Sequence, residues 1–351
     1  MGNIIIDCRF GGALAGLGRY TRELIPLLIP LIPEHTVRVL VRSSSEPWLH
    51  SIPQNVERIP FDIRHYSLRE QYALPMLLRK LKSDCFFGLH FNTPILCLVP
   101  SIVTIHDCIL NRYPNNASRI RQMGYKLIMH HALRSAQIII AVSAFVQSDI
   151  LSLYGNDLRR KIRVIHEGVH ERFRPVPTER LAALRTRYVL PETFFLYVGN
   201  AKQHKNVPLL LKAFSMLPQH SPALVLLCDG PELDNLALPP RVHIVRSVPE
   251  EDLPAFYTAA SANVSASLYE GFGLPAVEAL ACGCPVVAVH ASALPEVTDG
   301  RAVLVEPNAD AIARALLGVR ARVQPFRKFR WEATAARTAQ VLEEVMVCRY
   351  S

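Results

Sequence analysis

The sequence predicts an α/β protein built from two doubly wound, parallel-sheet domains of the Rossmann type. Its 351 residues suffice for two domains of about 150 residues each. Short β-branched runs alternate with longer helical stretches, which is typical of parallel strands covered by helices on both faces. This alternation stops at a proline-rich stretch, residues 173–177, and then starts again. We therefore expect an N-terminal domain over 1–172, a linker over 173–190, a second domain over 191–330 and a helical segment over 331–351.

The N-terminal half contains six strand-like runs separated by helical stretches. Pro26 and Pro30 are expected inside the first helical stretch and should kink or shorten it. The expected strands are 3–7, 37–41, 85–89, 102–106, 137–142 and 162–165, and the expected helices are 19–29, 68–81, 120–134 and 145–153.

The C-terminal half repeats the pattern. The expected strands are 194–198, 223–227, 242–245, 262–265, 285–289 and 302–305, and the expected helices are 207–217, 251–260, 275–282, 309–317 and an amphipathic 331–347. Two such domains in tandem place a cleft between the carboxyl ends of their sheets, where ligands of open α/β sheets bind. Functional residues are therefore expected at strand ends.

Composition narrows the function classes. Half of the residues are hydrophobic and 20% are charged, which is a globular composition. No apolar run reaches the roughly 18–20 residues of a membrane span, and the N-terminus resembles a first strand and not a signal peptide. We therefore expect a cytoplasmic protein. The eight cysteines are scattered, and the one close pair, Cys282 and Cys284, lacks further ligands for a zinc site, so we expect reduced thiols and no metal.

Charge is distributed unevenly along the chain. Residues 1–190 carry a net charge of +11 and residues 191–351 a net charge of −2. A basic half suits an anionic lipid surface or a phosphorylated substrate. Nucleic acid is not expected, because the arginines are dispersed and no aromatic-rich binding surface accompanies them. A solvated basic face without a partner stays open as an alternative.

A glycine-rich loop, residues 11–20, follows the first strand and opens the first helix. Gly16 and Gly18 there would let backbone N–H groups approach an anion at a helix N-terminus. The spacing differs from the G-x-G-x-x-G pattern and no second-strand acid is evident, so a nicotinamide cofactor is not indicated. A plain tight turn is the alternative.

Two further segments end strands at the expected cleft. His106 follows an apolar run, where it could donate to a phosphate or a sugar hydroxyl or serve as a structural histidine. Asn200, His204 and Lys205 follow the first strand of the second domain, and Lys205 precedes a helix. An ammonium group beside the N–H dipoles of a helix suits a leaving diphosphate, although a surface lysine is the alternative.

The most informative segment is residues 267–285. Glu270 and Glu278 lie eight residues apart, separated by a Gly-x-Gly turn and by Pro275, which suits the first helical position. Glu278 is then expected in the first helical turn, beside Glu270. The two carboxylates could hold hydroxyl pairs of a ribose and a hexose through charge-assisted bonds of about 1.5–3 kcal/mol each. The alternative is a helix-capping Glu278 and a solvated Glu270.

This string, Tyr-Glu-Gly-Phe-Gly-Leu-Pro with its second glutamate, resembles the signature of the retaining family-four glycosyltransferases, which have the GT-B fold. Further matches follow in order over nearly the whole chain, at 16–20, 104–107, 141–143, 167–175, 204–206 and 293–297. The resemblance implies two Rossmann-like domains facing across a cleft. It also implies a last helix that crosses back to the N-terminal domain.

The resemblance assigns roles to individual residues. It implies that Glu278 holds the nucleotide ribose, Glu270 the donor hydroxyls and Lys205 the diphosphate, with His106 near the reacting sugar. His106, Glu270 and Lys205 are thus the expected catalytic residues. The expected donor-binding residues are Gly16, Gly18, Asn200, His204, Lys205, Glu270, Gly271, Phe272, Gly273, Leu274 and Glu278. Two departures are His204, where many relatives have Arg, and a segment over 309–330 that is shorter than usual.

The resemblance implies transfer with retention of the anomeric configuration. The sequence fits a metal-independent version of it, since no Asp-x-Asp metal motif occurs. The expected donor is a sugar nucleotide, with GDP-mannose as the first choice, and no cofactor is expected. The expected acceptor is a glycan or a lipid-linked sugar of lipopolysaccharide, O-antigen or exopolysaccharide synthesis, met by a peripheral protein on the inner face of the cytoplasmic membrane. The alternatives are a sugar-nucleotide epimerase or hydrolase on the same fold and a non-catalytic sugar-nucleotide-binding protein; an oxidoreductase is disfavoured.

Overall fold

The computed structural model describes residues 2–13, 16–114, 118–319 and 321–350. The chain divides into two compact units. The first runs up to Gly168 and resumes at Phe329, and the second is Val169–Lys328.

In the described part of the first unit, seven strands form one parallel sheet in the order β3-β2-β1-β4-β5-β6-β7. The strands are β1 Asn3–Asp7, β2 Thr36–Val41, β3 Glu57–Pro60, β4 Cys85–Gly88, β5 Ser101–Ile105, β6 Ile138–Ala141 and β7 Ile162–Val164. The helices are α1 Gly16–Leu28, α2 Leu68–Lys80, α3 Ile109–Arg112, α4 Arg119–Ser135 and α5 Ala144–Tyr154. The C-terminal helix α12, Trp331–Tyr350, belongs to the same unit.

The core of the first unit has two layers, one on each face of the sheet. Ile4 and Ile6 pack on one face with α1 and with Trp331 and Leu342 of α12. Ile5 packs on the other face with the inner side of α2. Strands β4, β5 and β6 are buried along their whole length, as expected of strands covered on both faces.

The described part of the second unit has a six-stranded parallel sheet in the order β10-β9-β8-β11-β12-β13. Its strands are β8 Phe194–Val198, β9 Ala223–Leu227, β10 Val242–Val245, β11 Ala262–Ser265, β12 Val286–Val289 and β13 Val303–Val305. Its helices are α6 Thr178–Tyr188, α7 Val207–Ser215, α8 Leu253–Ala259, α9 Leu274–Ala281, α10 Leu294–Thr298 and α11 Ala309–Gly318.

Both sheets reverse their strand order at one point, between β1 and β4 in the first unit and between β8 and β11 in the second. In sheets of this kind, ligands bind outside the carboxyl ends of the strands at that reversal. The predicted fold class, two parallel-sheet α/β units, is confirmed.

Three elements differ from the sequence expectation. β3 lies at the sheet edge with its end residues exposed, so it lacks the apolar run by which its neighbours were found. Residues 173–190, expected to be a linker, contain α6, whose Leu184 is buried with Phe256 in the second unit. Pro26 stays inside α1, which ends at Leu28, and Pro30 falls in the 3-10 turn that follows.

Candidate functional site

An ion pair lies beside the strand reversal of the second unit. Nζ of Lys205 donates to both carboxylate oxygens of Glu270, at 2.7 and 2.9 Å. Both side chains are mostly buried, with 14% and 13% of their surfaces exposed. The structure therefore brings together two of the three residues that were expected to be catalytic.

The segment after β8 positions Lys205. The hydroxyl of Tyr197 donates to the carbonyl oxygen of Asn200 at 2.5 Å, and the side-chain oxygen of Asn200 accepts from the N–H of Lys202. Asn206 then takes the left-handed conformation, with φ of 52°, and α7 begins at the next residue. Asn200 thus shapes the turn that leads to Lys205, and Lys205 sits just before the positive end of the α7 dipole.

The loop between β11 and α9 positions Glu270. The N–H of Glu270 donates to Oγ of Ser292 at 2.9 Å. Gly273 has φ of +92°, and a Cβ there would lie 3.1 Å from Cδ2 of Leu294, so both conformation and space favour glycine. Phe272 is buried, whereas Gly271 and Leu274 are partly exposed. A small cavity of about 10 Å³ lies next to this loop; its lining residues include Tyr197, Asn263, Ser267, Glu270, Gly273 and Leu294.

Glu278 lies elsewhere than expected. The expected place was the first turn of its helix, but α9 begins at Leu274 with Gly273 as the N-cap, so Glu278 is the fifth residue and lies in the second turn. Pro275 correspondingly takes the second helical position instead of the first. Glu278 is 1% exposed, and its Oε2 accepts from the hydroxyl of Tyr257 at 3.0 Å. Its carboxylate is therefore a buried, oriented group and not a helix cap.

His204 is also buried, with 5% of its surface exposed. Burial, followed by the neighbouring positive charge of Lys205, lowers the pKa of its imidazole to about 4. The ring is thus neutral at physiological pH. Lys205 therefore carries positive charge in its ion pair with Glu270, whereas the neutral imidazole of His204 carries none.

In the first unit, His106 lies beyond the carboxyl end of β5. Its Nδ1 lies 3.0 Å from Oε1 of Glu167, and its Nε2 lies 3.0 Å from the carbonyl oxygen of Leu89. Burial opposes the charged imidazole, but the hydrogen bond and charge of Glu167 outweigh it and raise the pKa of His106. Two oxygen partners suit an imidazolium, which donates from both nitrogens.

The glycine loop is described except for residues 14 and 15, which lie outside the described residues. Gly16 begins α1, and a Cβ there would meet nothing within 4 Å. A Cβ at Gly18 would lie 1.8 Å from the carbonyl oxygen of Ala13, so a side chain there would displace the loop. Nη1 of Arg22 donates to the carbonyl oxygens of Gly11 and Ala13. Gly18 therefore permits a tight turn whether or not the loop binds an anion.

The sequence did not predict a buried ionic cluster that lies at the carboxyl end of β1 in the first sheet. Arg9 is 1% exposed and donates to Asp7 at 2.6 Å and to Glu70 at 2.7 Å. Glu70 also accepts from the N–H of Tyr66 and from Nδ2 of Asn92. The partners are up to 61 residues apart in sequence, so no local pattern points to the cluster.

Other partners were also missed as site residues. Glu167 stood inside a matched motif but was given no role, and it holds His106. Tyr257 and Ser292, which hold Glu278 and Glu270, carry no sequence signal that points to those contacts.

None of the described helices combines the length and the apolar character needed to cross a membrane. No group of three or more His, Cys, Asp or Glu side chains within the described ranges is placed to hold a metal ion.

Two family models match the chain. The model of glycosyl transferases group 1 matches residues 186–319. The model of Glycosyltransferase Family 4 matches residues 14–173. Together they span most of both units.

Curated relatives agree with the family models. O-antigen chain mannosyltransferase B of Escherichia coli is 29% identical over 333 residues, which are 87% of this chain and 86% of that protein. D-inositol 3-phosphate glycosyltransferase of Streptomyces bingchenggensis is 32% identical over 291 residues, which are 73% of this chain and 62% of that protein.

Solved structures share the fold. Sucrose-phosphate synthase from Thermosynechococcus elongatus superposes with a TM-score of 0.77 at 22% identity, covering 99% of this chain and 100% of that one. Anabaena HepE in complex with UDP and glucose gives a TM-score of 0.72 at 18% identity, again covering 99% and 100%. The chain belongs to the group 1 glycosyltransferases of the GT-B fold, with a family 4 glycosyltransferase domain in its first half.

Proposed function

We propose that the protein is a retaining hexosyltransferase that moves mannose from GDP-mannose to a glycan or lipid-linked sugar in cell-surface polysaccharide synthesis. The observation that carries the proposal is the Lys205–Glu270 ion pair beside the small cavity at the strand reversal of the second unit. The choice of mannose follows the O-antigen mannosyltransferase, a relative over 86% of its length. The sugar-nucleotide donor is supported by HepE, whose structure holds UDP and glucose.

The ion pair suggests how the donor is received. Without donor, Lys205 and Glu270 neutralise each other at a site that is largely shielded from water. A bound donor offers each of them a new partner, since a diphosphate attracts the ammonium group and sugar hydroxyls can donate to the carboxylate. Glu278, oriented by Tyr257, is proposed to accept from the ribose hydroxyls.

Departure of the diphosphate builds up negative charge beside Lys205. The ammonium group and the N-terminal dipole of α7 would stabilise that charge, and a preorganised site does so without further rearrangement. The remaining proposed donor contacts are Asn200, His204, Phe272 and the backbone of 271–274. Gly16 and Gly18 are proposed to contact the phosphate or acceptor.

His106 is proposed to act through its charge. Both ring nitrogens are held by protein oxygens, so the imidazolium contributes a fixed positive charge more readily than a free hydrogen-bond donor. No metal or cofactor is part of the proposed reaction. The acceptor is proposed to be membrane-bound, in keeping with the net charge of +11 over residues 1–190.

A donor panel tests the proposal. Purified protein is incubated with GDP-mannose, UDP-glucose and UDP-GlcNAc, with and without a chelator and a membrane-lipid extract, and the released nucleoside diphosphate is measured. Chelator-resistant release from GDP-mannose that increases with the extract is expected, and the product should keep the α configuration of the donor. Release without an acceptor would indicate an epimerase or hydrolase, and donor binding without release would indicate a binding protein.

A further inference from the structure

A groove with a volume of about 380 Å³ opens on the second unit. It lies between the chain that leads into α6 and the start of α8. Its lining residues have no member in common with those of the small cavity beside Glu270. Three of them are arginines, namely Arg172, Arg174 and Arg180, and the groove is called the arginine groove.

The walls of the arginine groove are apolar and rigid. They consist largely of proline, whose ring fixes φ, together with Val176. The N–H of Val176 donates to Oγ1 of Thr258 in α8 at 3.3 Å, and that hydroxyl donates to the carbonyl oxygen of Pro254 at 2.7 Å. Phe173 is 2% exposed and anchors the same segment in the core of the second unit. Packing and hydrogen bonds within the protein therefore hold the groove open.

Positive charge exceeds negative charge around the arginine groove. Three guanidinium groups line it, against one carboxylate, that of Glu251. Nη2 of Arg180 donates to the backbone carbonyl oxygen of Glu251 at 2.6 Å, which connects the two sides of the groove. Nη1 of Arg172 lies 3.8 Å from Oε2 of Glu250, which is wider than a direct hydrogen bond. Arg174 is exposed, and its guanidinium forms no ion pair within the described ranges.

This combination of charge and apolar surface suits a phosphate group that is attached to a carbon ring. The planar fork of arginine can donate two parallel hydrogen bonds to one phosphate, and such charge-assisted bonds are stronger than neutral ones. The N-terminal end of α6 adds a favourable dipole, because its N-cap is Pro177, which has no side-chain group to cap the helix. A volume of about 380 Å³ lies in the range of small-molecule sites, and the proline walls can cover an apolar ring.

We propose that the arginine groove binds a small phosphate ester, with its phosphate on the three guanidinium groups and its carbon skeleton against the proline walls. The groove is a second site, separate from the donor site, and the proposal does not depend on the proposed function. An acidic peptide fits less well, because a row of carboxylates would also meet Glu250 and Glu251, whereas one phosphate can lie on the arginines alone.

Calorimetric titration of the full chain tests the proposal without any donor or acceptor. The probes are phenyl phosphate, inorganic phosphate, phenol and a peptide of six glutamates, each titrated at about 50 mM salt. The groove variant is R174Q/R180Q. Its matched control is R246Q/R314Q, which changes two exposed arginines elsewhere in the second unit. A third variant, K205M, removes the cation of the proposed donor site.

We expect phenyl phosphate to bind the natural protein at least about tenfold more tightly than inorganic phosphate, because the ring adds apolar contact, and phenol to show no measurable binding. R174Q/R180Q should weaken the binding of phenyl phosphate at least about tenfold, since the two changes remove charge-assisted bonds. R246Q/R314Q and K205M should change it less than about twofold. The changed arginines are exposed, and thermal melting checks that the variants are folded.

Four results would overturn the proposal. The first is no binding of phenyl phosphate to the natural protein, and the second is equal binding by R174Q/R180Q and its control. The third is loss of binding in K205M, which would place the phosphate at the donor site. The fourth is tighter binding of the glutamate peptide than of phenyl phosphate, which would assign the groove to an acidic partner. Nucleoside diphosphate release, measured separately, shows whether the proposed function fails independently.

Discussion

At the scale of single residues, Lys205 is the cation that we propose meets the leaving diphosphate. We expect Lys205→Met to lower kcat/KM for the donor by about a hundredfold or more, because a preorganised charge at a developing anion contributes on that scale. Steady-state release of nucleoside diphosphate measures it. Lys202→Met is the matched control: that lysine is three residues earlier and exposed, and its loss should change kcat/KM less than about twofold. Equal losses in the two variants would remove Lys205 from its proposed role.

The His106–Glu167 pair predicts a pH dependence of stability. The folded-state pKa of His106 is raised, so the folded protein binds more protons than the unfolded chain between the two pKa values. Its stabilisation is therefore complete below the ordinary imidazole pKa of 6.5 and is lost as pH rises through the folded value. We expect Glu167→Gln to cost on the order of 1 kcal/mol more of unfolding free energy at acidic pH than at about pH 9.

Urea unfolding across that pH range measures the difference. If the loss of unfolding free energy in Glu167→Gln did not change with pH, the pair would stabilise the fold without any contribution from protonation of His106. A cost that grows toward alkaline pH would contradict the direction assigned to the histidine.

At the scale of secondary-structure elements, Glu70 connects three segments of the first unit. It accepts from Arg9 after β1, from Tyr66 before α2 and from Asn92 after β4. We expect Glu70→Gln to lower the unfolding free energy of this unit by about 3 kcal/mol, because it leaves a buried guanidinium with one carboxylate instead of two. Glu57→Gln is the control, since Glu57 is an exposed partner of Arg38 and its loss should cost less than about 1 kcal/mol. Similar costs would show that the cluster is not a structural connection.

The secondary-structure elements also show which parts of the fold can be predicted from the sequence. The central strands were predicted within one or two residues, because burial on both faces demands continuous apolar runs such as that of β6. β3 was missed because an edge strand with exposed ends has no such run. α6 was missed because prolines just before it resemble a linker, whereas a single buried residue, Leu184, anchors it.

The sequence likewise predicted some residues of the candidate site but not the contacts between them. Lys205, Glu270 and Glu278 were found through a local motif, but their contacts join residues 21 to 65 positions apart and no local pattern encodes them. The burial of Glu278 followed from the start of α9 at Leu274, and helix ends are the least predictable part of an element. The Arg9 cluster depends wholly on the sheet bringing distant segments to one edge.

At the scale of the whole molecule, each unit has its own core, and the first is completed by the end of the chain. Leu342 of α12 is fully buried against α1 and the sheet, more than 300 residues after the strand it helps to cover. Leu316 of α11 has the corresponding position in a core of the second unit. The two tryptophans of the chain, Trp48 and Trp331, both belong to the first unit, so their fluorescence reports on that unit alone.

Leu342→Ala should therefore destabilise the first unit selectively. Removal of a buried leucine side chain costs about 2–5 kcal/mol. We expect this variant to shift the urea transition seen by tryptophan fluorescence to lower concentration, and Leu316→Ala to shift the part of the circular dichroism transition that fluorescence does not follow. If Leu316→Ala moved the fluorescence transition as far as Leu342→Ala does, the two units would unfold as one cooperative body. If Leu342→Ala left it unmoved, α12 would contribute nothing to the core that its buried leucine completes.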